Sequence, residues 1–513
     1  MPVMGGGQTG SVDVKTVGSP RGPTRCLFAL ALMGWPAGTM AQDRPIALSY
    51  DAAAHRLQAV SPALSAADHA ETAARETAAA VATLHRPIIT ASAQYLEYQK
   101  TLSVDLTGSK QSASDATQDF LSGIPGAVPP AFQQIAGDIV GRISQALPGL
   151  FAIIPDSLSY RYRDDVFRPT VQGVLPLYSD GAIPAIQRGA RAGADMAAAR
   201  AAQARDLTRL NLIRVYFGQI MAAQLAASAL ESREALDRLL SDARKLEAAG
   251  VIPHARTLEA QVARDTADRT WQRAAIAADS ARGDLSQLLE VEAVAPLTPL
   301  FVASRPLAPA ASFLGGEASL PQTRQAEATR GVADAGVDLA RSRYRPQAFA
   351  FGEYNLNRGN SLPTEPDWVA GVGVRYTLLS NVDRRHALNA AQENAAAAAD
   401  AARESRKAAT GATLKAWDLV ESARRAFLSL DSSMAAAREN LRVQQVSFRE
   451  GEGTLTAVLG AEAVLAAART QKAATAYEYD LALAGLLAAS GRLDDFSDHL
   501  ARADIRLTEE PRR

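Results

Sequence analysis

The side chains most used for catalysis and metal binding are sparse in this sequence of 513 residues. Zinc and related metals need several ligands at short, regular spacings. The six histidines instead stand alone, at positions 55, 69, 85, 254, 386 and 499. There is no nucleophile elbow, P-loop or dinucleotide-binding motif, and the acidic residues are scattered along charged stretches. We therefore predict no enzyme activity, no metal site and no cofactor.

The composition favours long helices that pack closely side by side. Hydrophobic residues make up 47% of the chain but aromatic residues only 6%, because much of the apolar content is alanine. Alanine-rich sequence with interspersed Arg and Glu has a high helix propensity. The net charge of −1 gives no reason to expect nucleic acid as a partner.

The N-terminal segment has the pattern of an export signal. Arg21 and Arg25 precede the apolar run CLFALALMGWPAG, which small residues follow. We expect residues 1–41 to be a signal peptide that is cleaved after Ala41. Because Cys26 is the only cysteine, the mature chain is expected to have no disulfide. No other stretch reaches about eighteen apolar residues, so no transmembrane helix is predicted.

Landmarks recur in the sequence at constant spacing. The prolines at positions 62 and 87 are 25 residues apart, as are those at 321 and 346. LYSDGA at 177–182 matches LLSNVD at 378–383, 201 residues later. We infer a tandem duplication. The predicted organisation is a first repeat at 42–292, a linker at 293–320, a second repeat at 321–491 and a charged tail at 492–513, disordered or wrapped around the outside.

Each repeat is predicted to contain a helix, two strands, a long helix, an interruption and a return helix. The predicted strands are 87–100 and 166–178 in the first repeat, and 346–357 and 368–378 in the second. Segments of about ten residues with alternating polarity and aromatic ends are typical of membrane barrel strands. The first repeat also carries an insertion at 107–164, rich in Pro, Gly and Ile, with an amphipathic helix expected around 131–147.

The long helices should form coiled coils. No proline occurs at 185–252 or 367–510, and a helix of about 65 residues is about 100 Å long. Near the helix ends, residues that are mostly apolar or small recur at spacings that alternate between four and three, which is the heptad pattern. These positions are Leu225, Ala229, Ser232, Leu236, Leu239, Ala243 and Leu246, and then Phe427, Leu430, Met434, Ala437, Leu441, Gln444 and Phe448.

Four strands cannot close a barrel, and an open sheet edge cannot lie in lipid, so the chain is expected to oligomerise. Three chains would supply twelve strands, a number found in outer-membrane barrels. The predicted fold class is mainly α with a membrane β-barrel part, to which each chain gives four strands, continued by long coiled-coil helices that form a conduit.

On these features the sequence resembles the outer membrane efflux (TolC-like) family of trimeric channel-tunnels. The resemblance covers Ala47–Phe496 and rests on the duplicated element order and the PLYSDGA corner. It rests also on AAGVIPHARTLEAQVA at 248–263 and FREGEGTLTAVLGAE at 448–462. It implies a trimeric 12-stranded outer-membrane barrel, four strands from each chain, that continues as a periplasmic α-barrel of coiled-coil helices. This homotrimer would act as the exit duct of a tripartite efflux pump or type I secretion system. The implied partners are a periplasmic adaptor, an inner-membrane RND or ABC transporter and outer-membrane lipid.

The resemblance also implies a role for the two interruptions, since in relatives these turns contact the adaptor and the second helps to close the tunnel. Glycine supplies a left-handed helix cap, Thr454 can cap the next helix and Pro253 fits a first turn. Ordinary hairpin turns remain the alternative interpretation. The expected docking and gating residues are Gly250, Pro253, Arg256, Glu450, Gly451, Gly453, Thr454, Ala457 and Gly460. The expected strand-to-helix corners are Leu177, Asp180, Gly181, Leu378 and Asn381.

One family feature is absent from the second interruption. Some members carry a D-x-x-D pair there, whereas this chain has Ala457 and Gly460, so no acidic ring is expected. Two interpretations of the neighbouring charges stay open: an ion pair between Arg256 or Arg449 and a nearby glutamate (Glu450 or Glu452), or solvated side chains. The alternative function is a periplasmic coiled-coil scaffold without a pore.

Overall fold

The computed structural model describes residues 45–127, 133–357 and 366–507. The predicted signal peptide, most of the segment between the two predicted strands of the second repeat and the last six residues of the tail lie outside these ranges. The helices are α1 (Tyr50–Val60), α2 (Pro62–Ala82), α3 (Thr107–Ala127), α4 (Gln133–Ala152), α5 (Ala182–Ala248), α6 (His254–Leu288), α7 (Pro321–Ser342), α8 (Arg384–Arg449), α9 (Leu455–Ala489) and α10 (Phe496–Arg502). The strands are β1 (Ile46–Leu48), β2 (Ile88–Asp105), β3 (Ser157–Tyr178), β4 (Val294–Pro296), β5 (Leu300–Val302), β6 (Gln347–Asn355), β7 (Trp368–Arg375) and β8 (Ile505–Leu507).

The repeat in the sequence has a structural counterpart. α2 and α7 have 21 and 22 residues, α5 and α8 have 67 and 66, and α6 and α9 both have 35. In each half the order is helix, two strands, long helix, return helix. The two halves therefore present the same supersecondary unit twice.

The long helices pair with their return helices as coiled coils. At 1.5 Å per residue, α5 and α8 are each about 100 Å long. The predicted heptad positions face the packing interfaces: Met434, Ala437 and Leu441 of α8 are buried, as are Leu236 and Ala243 of α5. The coiled-coil prediction is confirmed in both hairpins.

The four long strands form one antiparallel sheet that joins the two repeats. Its order is β2-β3-β6-β7, so β3 of the first repeat pairs with β6 of the second. The paired residues Tyr178, Ala348 and Val374 mark the end of the sheet from which the long helices leave. β2 and β7 are the edge strands of this sheet.

Aromatic rings and glycines pack against each other across β6 and β7. Phe349 lies opposite Gly373 and Phe351 lies opposite Gly371. A Cβ atom built on Gly373 would lie 2.7 Å from Cζ of Phe349, and one on Gly371 would lie 3.1 Å from Cζ of Phe351. The absence of a side chain at these glycines is what gives the two rings room on the strand surface.

The strands of the first repeat are longer than predicted. β2 continues to Asp105 and β3 begins at Ser157, and the two pair in register over 18 residues. Charged residues in this longer ladder form cross-strand pairs, as where Nη2 of Arg163 lies 2.7 Å from Oε1 of Glu97. What remains of the predicted insertion is the helical hairpin of α3 and α4, which is more helical than expected. In the second repeat, one strand is shorter than predicted: β7 ends at Arg375, three residues before the predicted end.

A second region of the core lies about midway along the long helices. The short strands β1 and β4 pair in parallel, and β5 and β8 pair antiparallel. Buried aromatic rings of α1, α5, β5 and α10 meet there with centroids 5.2–6.0 Å apart. The hydroxyl of Tyr216 donates to the carbonyl of Leu48 at 2.8 Å and accepts from the N–H of Thr298 at 3.0 Å. These contacts fix the N-terminal segment and the connection between the repeats to α5.

The segments predicted as linker and tail belong to this core. In the linker at 293–320, Val294, Leu300, Phe301, Val302 and Phe313 are buried. In the tail, Phe496 and Leu500 are buried, because the apolar face of α10 packs against the same cluster. As far as residue 507, the tail is therefore folded rather than disordered or wrapped around the outside.

None of the helices in the described ranges combines the length and the apolar character needed to cross a membrane.

Candidate docking and gating site at the helical tips

The turn between α5 and α6 reverses the chain through a left-handed glycine. Gly250 has a φ of +74°, and its N–H donates to the carbonyl of Glu247 at 2.8 Å. The N–H of Val251 donates to the carbonyl of Leu246, also at 2.8 Å. These two bonds form a Schellman cap, which satisfies carbonyls that the helix end leaves free. Pro253 is the N-cap of α6, one residue before the helix, rather than in its first turn as predicted.

The turn between α8 and α9 repeats this geometry. Gly451 has a φ of +81° and donates to the carbonyl of Phe448, and the N–H of Glu452 donates to the carbonyl of Ser447. Gly453 then passes close to the end of α8: a Cβ atom there would lie 2.8 Å from the backbone nitrogen of Phe448. The hydroxyl of Thr454 accepts from the N–H of Ala457 at 3.2 Å and caps α9.

The two turns lie together, because the hairpins share one apolar cluster at their ends. We call this the tip cluster. It is closed by the side chains of both hairpins and consists of Leu240, Ala243, Ala260, Met434, Ala437, Leu441, Phe448, Leu455, Val458, Ala461 and Leu465. If one turn moves, the other must therefore move with it, or the apolar contacts between them must break.

A hydrogen bond links the two tips at their surface. Nη1 of Arg256 donates to the hydroxyl of Thr456 at 3.3 Å, and the same atom lies 2.8 Å from Oε2 of Glu259 on its own helix. Among the described charged pairs, Glu450 and Glu452 have no partner, and Arg449 donates to the carbonyl of Gln445. Within the chain, the ion pair considered between the tips is thus replaced by a neutral acceptor.

A second polar contact fixes the first turn from inside its own hairpin. Nδ1 of His254 lies 2.7 Å from Oε1 of Glu247, across the turn. Hydrogen bonding by the Thr257 hydroxyl and then by His254 lowers the pKa of the Glu247 carboxyl. Because its pKa is lowered, the carboxylate is charged at neutral pH, and its contact with His254 connects the end of α5 to the start of α6.

Ala457 and Gly460 lie in the first turns of α9, where Ala457 is half-buried and Gly460 exposed. Two residues after Gly460 in the sequence is Glu462, which the sequence analysis did not single out. Its side chain is buried with 3% exposure, between α9 and α5, and burial raises its pKa, while a hydrogen bond with Ser232 opposes the shift. Glu462 lines a cleft of about 590 Å³ between α5, α6 and α9. A signal was present in the sequence, since Glu462 continues the apolar spacing of Leu455 and Val458.

The predicted strand-to-helix corners differ between the repeats. In the first, Leu177 is in β3, and Asp180 and Gly181 have positive φ values of 48° and 80° before α5 begins. In the second, Leu378 and Asn381 lie in an irregular segment between β7 and α8. Asp383 caps α8 there, accepting from the N–H groups of Arg385 and His386.

Nowhere in the described ranges do three or more His, Cys, Asp or Glu side chains gather in a way that could hold a metal ion. The arrangement at the tips offers packing, hydrogen bonding and hinge points rather than reactive groups.

Residues 317–492 match the family model of the outer membrane efflux protein. A comparison with curated proteins finds no match. Among solved structures, the chain is similar to the outer-membrane channel OprN, at 16% identity and a TM-score of 0.68, over 86% of this chain and 89% of that one. It is also similar to the CmeC outer membrane channel of Campylobacter jejuni, at 13% identity and a TM-score of 0.67, over 88% of both chains. The open state of the Neisseria gonorrhoeae MtrE outer membrane channel matches at 15% identity and a TM-score of 0.65, over 86% of this chain and 89% of that one.

The resemblance inferred from the sequence is thus confirmed: the second repeat carries an outer membrane efflux protein domain, and the chain has the fold of outer-membrane channels. The family match also confirms the predicted location in the outer membrane. These relatives are channel proteins, not enzymes.

Proposed function

We propose that the chain forms, as a homotrimer, the outer-membrane exit duct of a tripartite efflux pump or type I secretion system. The duct is gated at its periplasmic tips when an adaptor docks. One observation carries this proposal: a four-stranded sheet and a pair of matched helical turns lie at opposite ends of helices about 100 Å long. That length exceeds the thickness of a membrane about threefold.

Trimer formation is supported by the edges of the sheet. β2 and β7 each leave one row of backbone N–H and C=O groups without a strand partner within the described sheet. Lipid offers no hydrogen bonds to such groups, so an edge in the membrane must pair with another chain. In the trimer, β7 of one chain pairs with β2 of the next, and twelve strands close a barrel.

Docking at the tips is supported by exposed apolar side chains beside the first turn. Val251, Leu258 and Val262 are 59%, 48% and 66% exposed, whereas the side chains of the neighbouring tip cluster are buried. Leu258 and Val262 lie one helical turn apart on α6, so they share a face. An uncovered apolar face of a helix suits a partner that is itself helical. A helical surface is the kind expected of an adaptor.

The energy for transport comes from the partner in the inner membrane, an RND or ABC transporter. That transporter selects the cargo, and the duct conducts the cargo without selecting it further.

Extraction of the full chain from membranes in detergent tests the proposal. We expect a trimer by mass photometry and discrete conductance steps in planar lipid bilayers. A water-soluble monomer without conductance would instead indicate the periplasmic scaffold. Because the expected mature chain has no cysteine, Val262→Cys can be cross-linked in cells to a docked adaptor. Ile276→Cys, 70% exposed on the same helix but about 20 Å further from the tip, is the matched control and should give no adduct.

A further inference from the structure

Six arginines gather where the sheet meets the long helices. They come from the start of α5, the end of α7 with the segment that leads into β6, and the start of α8. We call this group the junction arginines: Arg188, Arg341, Arg343, Arg345, Arg384 and Arg385. Among the described ion pairs, their carboxylate partners are Asp338 and Asp180, and Asp383 is the N-cap directly before Arg384, so six cations meet three acids in these contacts.

Three of the junction arginines line a cleft of about 480 Å³. Nη1 of Arg188 lies 2.8 Å from Oδ2 of Asp338, and Nη1 of Arg341 lies 3.5 Å from Oδ1 of the same carboxylate. Nη1 of Arg345 lies 3.0 Å from Oδ1 of Asp180. Three guanidiniums thus share two carboxylates, while the arginine side chains stay 55–70% exposed. Their remaining N–H groups can reach an external anion.

The other three junction arginines have no carboxylate partner among the described charged pairs. Arg384 donates to the carbonyls of Arg343 and Leu378 at 3.1 and 3.0 Å, and its guanidinium lies 5.6 Å from the ring centre of Tyr344. Asp383, the nearest acid, is engaged as the cap of α8. This side of the group therefore carries charge that the protein itself does not neutralise.

An exposed apolar surface begins directly beside the junction arginines. Arg345 is two residues before β6, whose second residue Ala348 pairs with Tyr178 and Val374. Tyr178 and Val374 are 51% and 73% exposed, and Leu378 is 77% exposed. A band of aromatic and aliphatic side chains next to a row of arginines is the arrangement that membrane interfaces favour.

We propose that the junction arginines bind the phosphate groups of anionic phospholipids, whose acyl chains lie against the exposed apolar end of the sheet. The guanidinium fork matches a phosphate bidentately, and a soluble anion would leave the apolar band uncovered. This inference rests on the proposed function, because it sets the periplasmic membrane surface at the sheet-to-helix junction.

Native mass spectrometry of the detergent-solubilised full chain with added short-chain phosphatidylglycerol tests the inference. Arg341→Gln with Arg343→Gln removes two cations that hold no backbone contact by their side chains, and we expect binding to weaken about tenfold or more. Arg403→Gln with Arg442→Gln makes the same charge change at exposed sites on α8, remote from the sheet, and should bind as the parent does.

Equal binding by the junction variant and the parent would overturn the inference. So would displacement of the lipid by inorganic phosphate at equal concentration, since that would mark a simple anion site. Phosphatidylcholine, which carries no net charge, should bind more weakly than phosphatidylglycerol. The assay needs neither a trimer nor a pore, so its result is separable from those of the conductance and cross-linking experiments.

Discussion

Nη1 of Arg256 and Oγ1 of Thr456 lie 3.3 Å apart and form a hydrogen bond between the two helical tips. The two residues are separated by 200 positions in the chain and occupy the first turns of α6 and α9. Because the tip cluster beneath them is apolar, this contact is a polar connection between hairpins at the point proposed for gating.

Replacement of Arg256 by Ala should favour the open duct. A partly exposed hydrogen bond contributes about 0.5–1 kcal/mol, so the fold should survive while the tips separate more readily. We expect a higher open probability in planar bilayers and greater entry of large antibiotics into cells. Arg269→Ala is the control, since Arg269 bonds only to Thr266 of its own helix. An unchanged open probability for Arg256→Ala would show that this contact does not help to keep the duct closed.

Two glycines of the second tip should respond oppositely to alanine. In Gly453→Ala, the new Cβ would lie 2.8 Å from the nitrogen of Phe448, and we expect a loss of about 1–3 kcal/mol in tip stability. In Gly460→Ala, no atom lies within 4 Å of the new Cβ, so the helix should gain about 0.5–1 kcal/mol. Hydrogen exchange at the α8–α9 turn measures both changes. Equal protection in the two variants would contradict the close approach at Gly453.

Glu421 of α8 pairs with two arginines that differ in burial and in the number of bonds they make: Arg424 donates twice to the carboxylate and once to the carbonyl of Ser304, and Arg425 donates once. Nη2 of Arg424, 8% exposed, lies 2.6 Å from Oε1 of Glu421, and Nε of Arg425, 73% exposed, lies 2.7 Å from the same atom. Arg424→Gln leaves the buried carboxylate with much less compensation, so we expect a cost of about 3–5 kcal/mol. Arg425→Gln should cost less than about 1 kcal/mol. Denaturant unfolding at pH 7 compares the two, and similar costs would argue against the role assigned to burial.

The same pair should make stability depend on pH in the acid range. Hydrogen bonding with Arg424 lowers the pKa of Glu421 from 4.5 to about 2. A carboxyl whose pKa is lowered by folding stabilises the protein above its unfolded pKa, and this contribution is lost as pH falls from about 4.5 towards 2. Glu421→Gln should abolish that component of the pH dependence. Stability curves with the same slope in parent and variant would contradict it.

Asp480 in α9 should make the stability of the protein depend on pH in the opposite direction. Its side chain is fully buried, and burial raises its pKa well above the usual value. The folded state therefore binds the proton more tightly, and stability falls as pH rises above the unfolded pKa. Asp480→Asn should stabilise the protein at pH 7, on the order of 1–3 kcal/mol, and make little difference at pH 3. Asp498→Asn, at a side chain 69% exposed, should change stability by less than about 0.5 kcal/mol at either pH.

The parts of the fold that follow local rules could be predicted from the sequence. The long helices follow from alanine content and absence of proline, and the matched turns follow from glycines at equal spacing. The heptad positions predicted the coiled-coil interfaces, because a 3.5-residue period is set by neighbours within the same helix.

The parts that depend on distant partners could not be predicted. β1, β4, β5 and β8 have three residues each, too few for a period, and each pairs with a segment about 200 or more residues away. α10 looked like part of a charged tail because the residues between its two buried side chains, Phe496 and Leu500, are all polar. Glu462 is an intermediate case: its spacing from Leu455 and Val458 was a signal in the sequence, but the approach of α5 that buries it depends on a distant segment.

The pairing of β1 with β4 and of β8 with β5 has a consequence for the topology of the chain. β4 and β5 are separated by three residues, and the hydroxyl of Ser497 donates to Oδ1 of Asp51 at 2.6 Å. The first and last strands of the described ranges, β1 and β8, are therefore held at neighbouring places in the fold. A circular permutant that joins these ends and opens the chain elsewhere would keep every element and every pairing, with its new termini wherever a label or a tether is wanted.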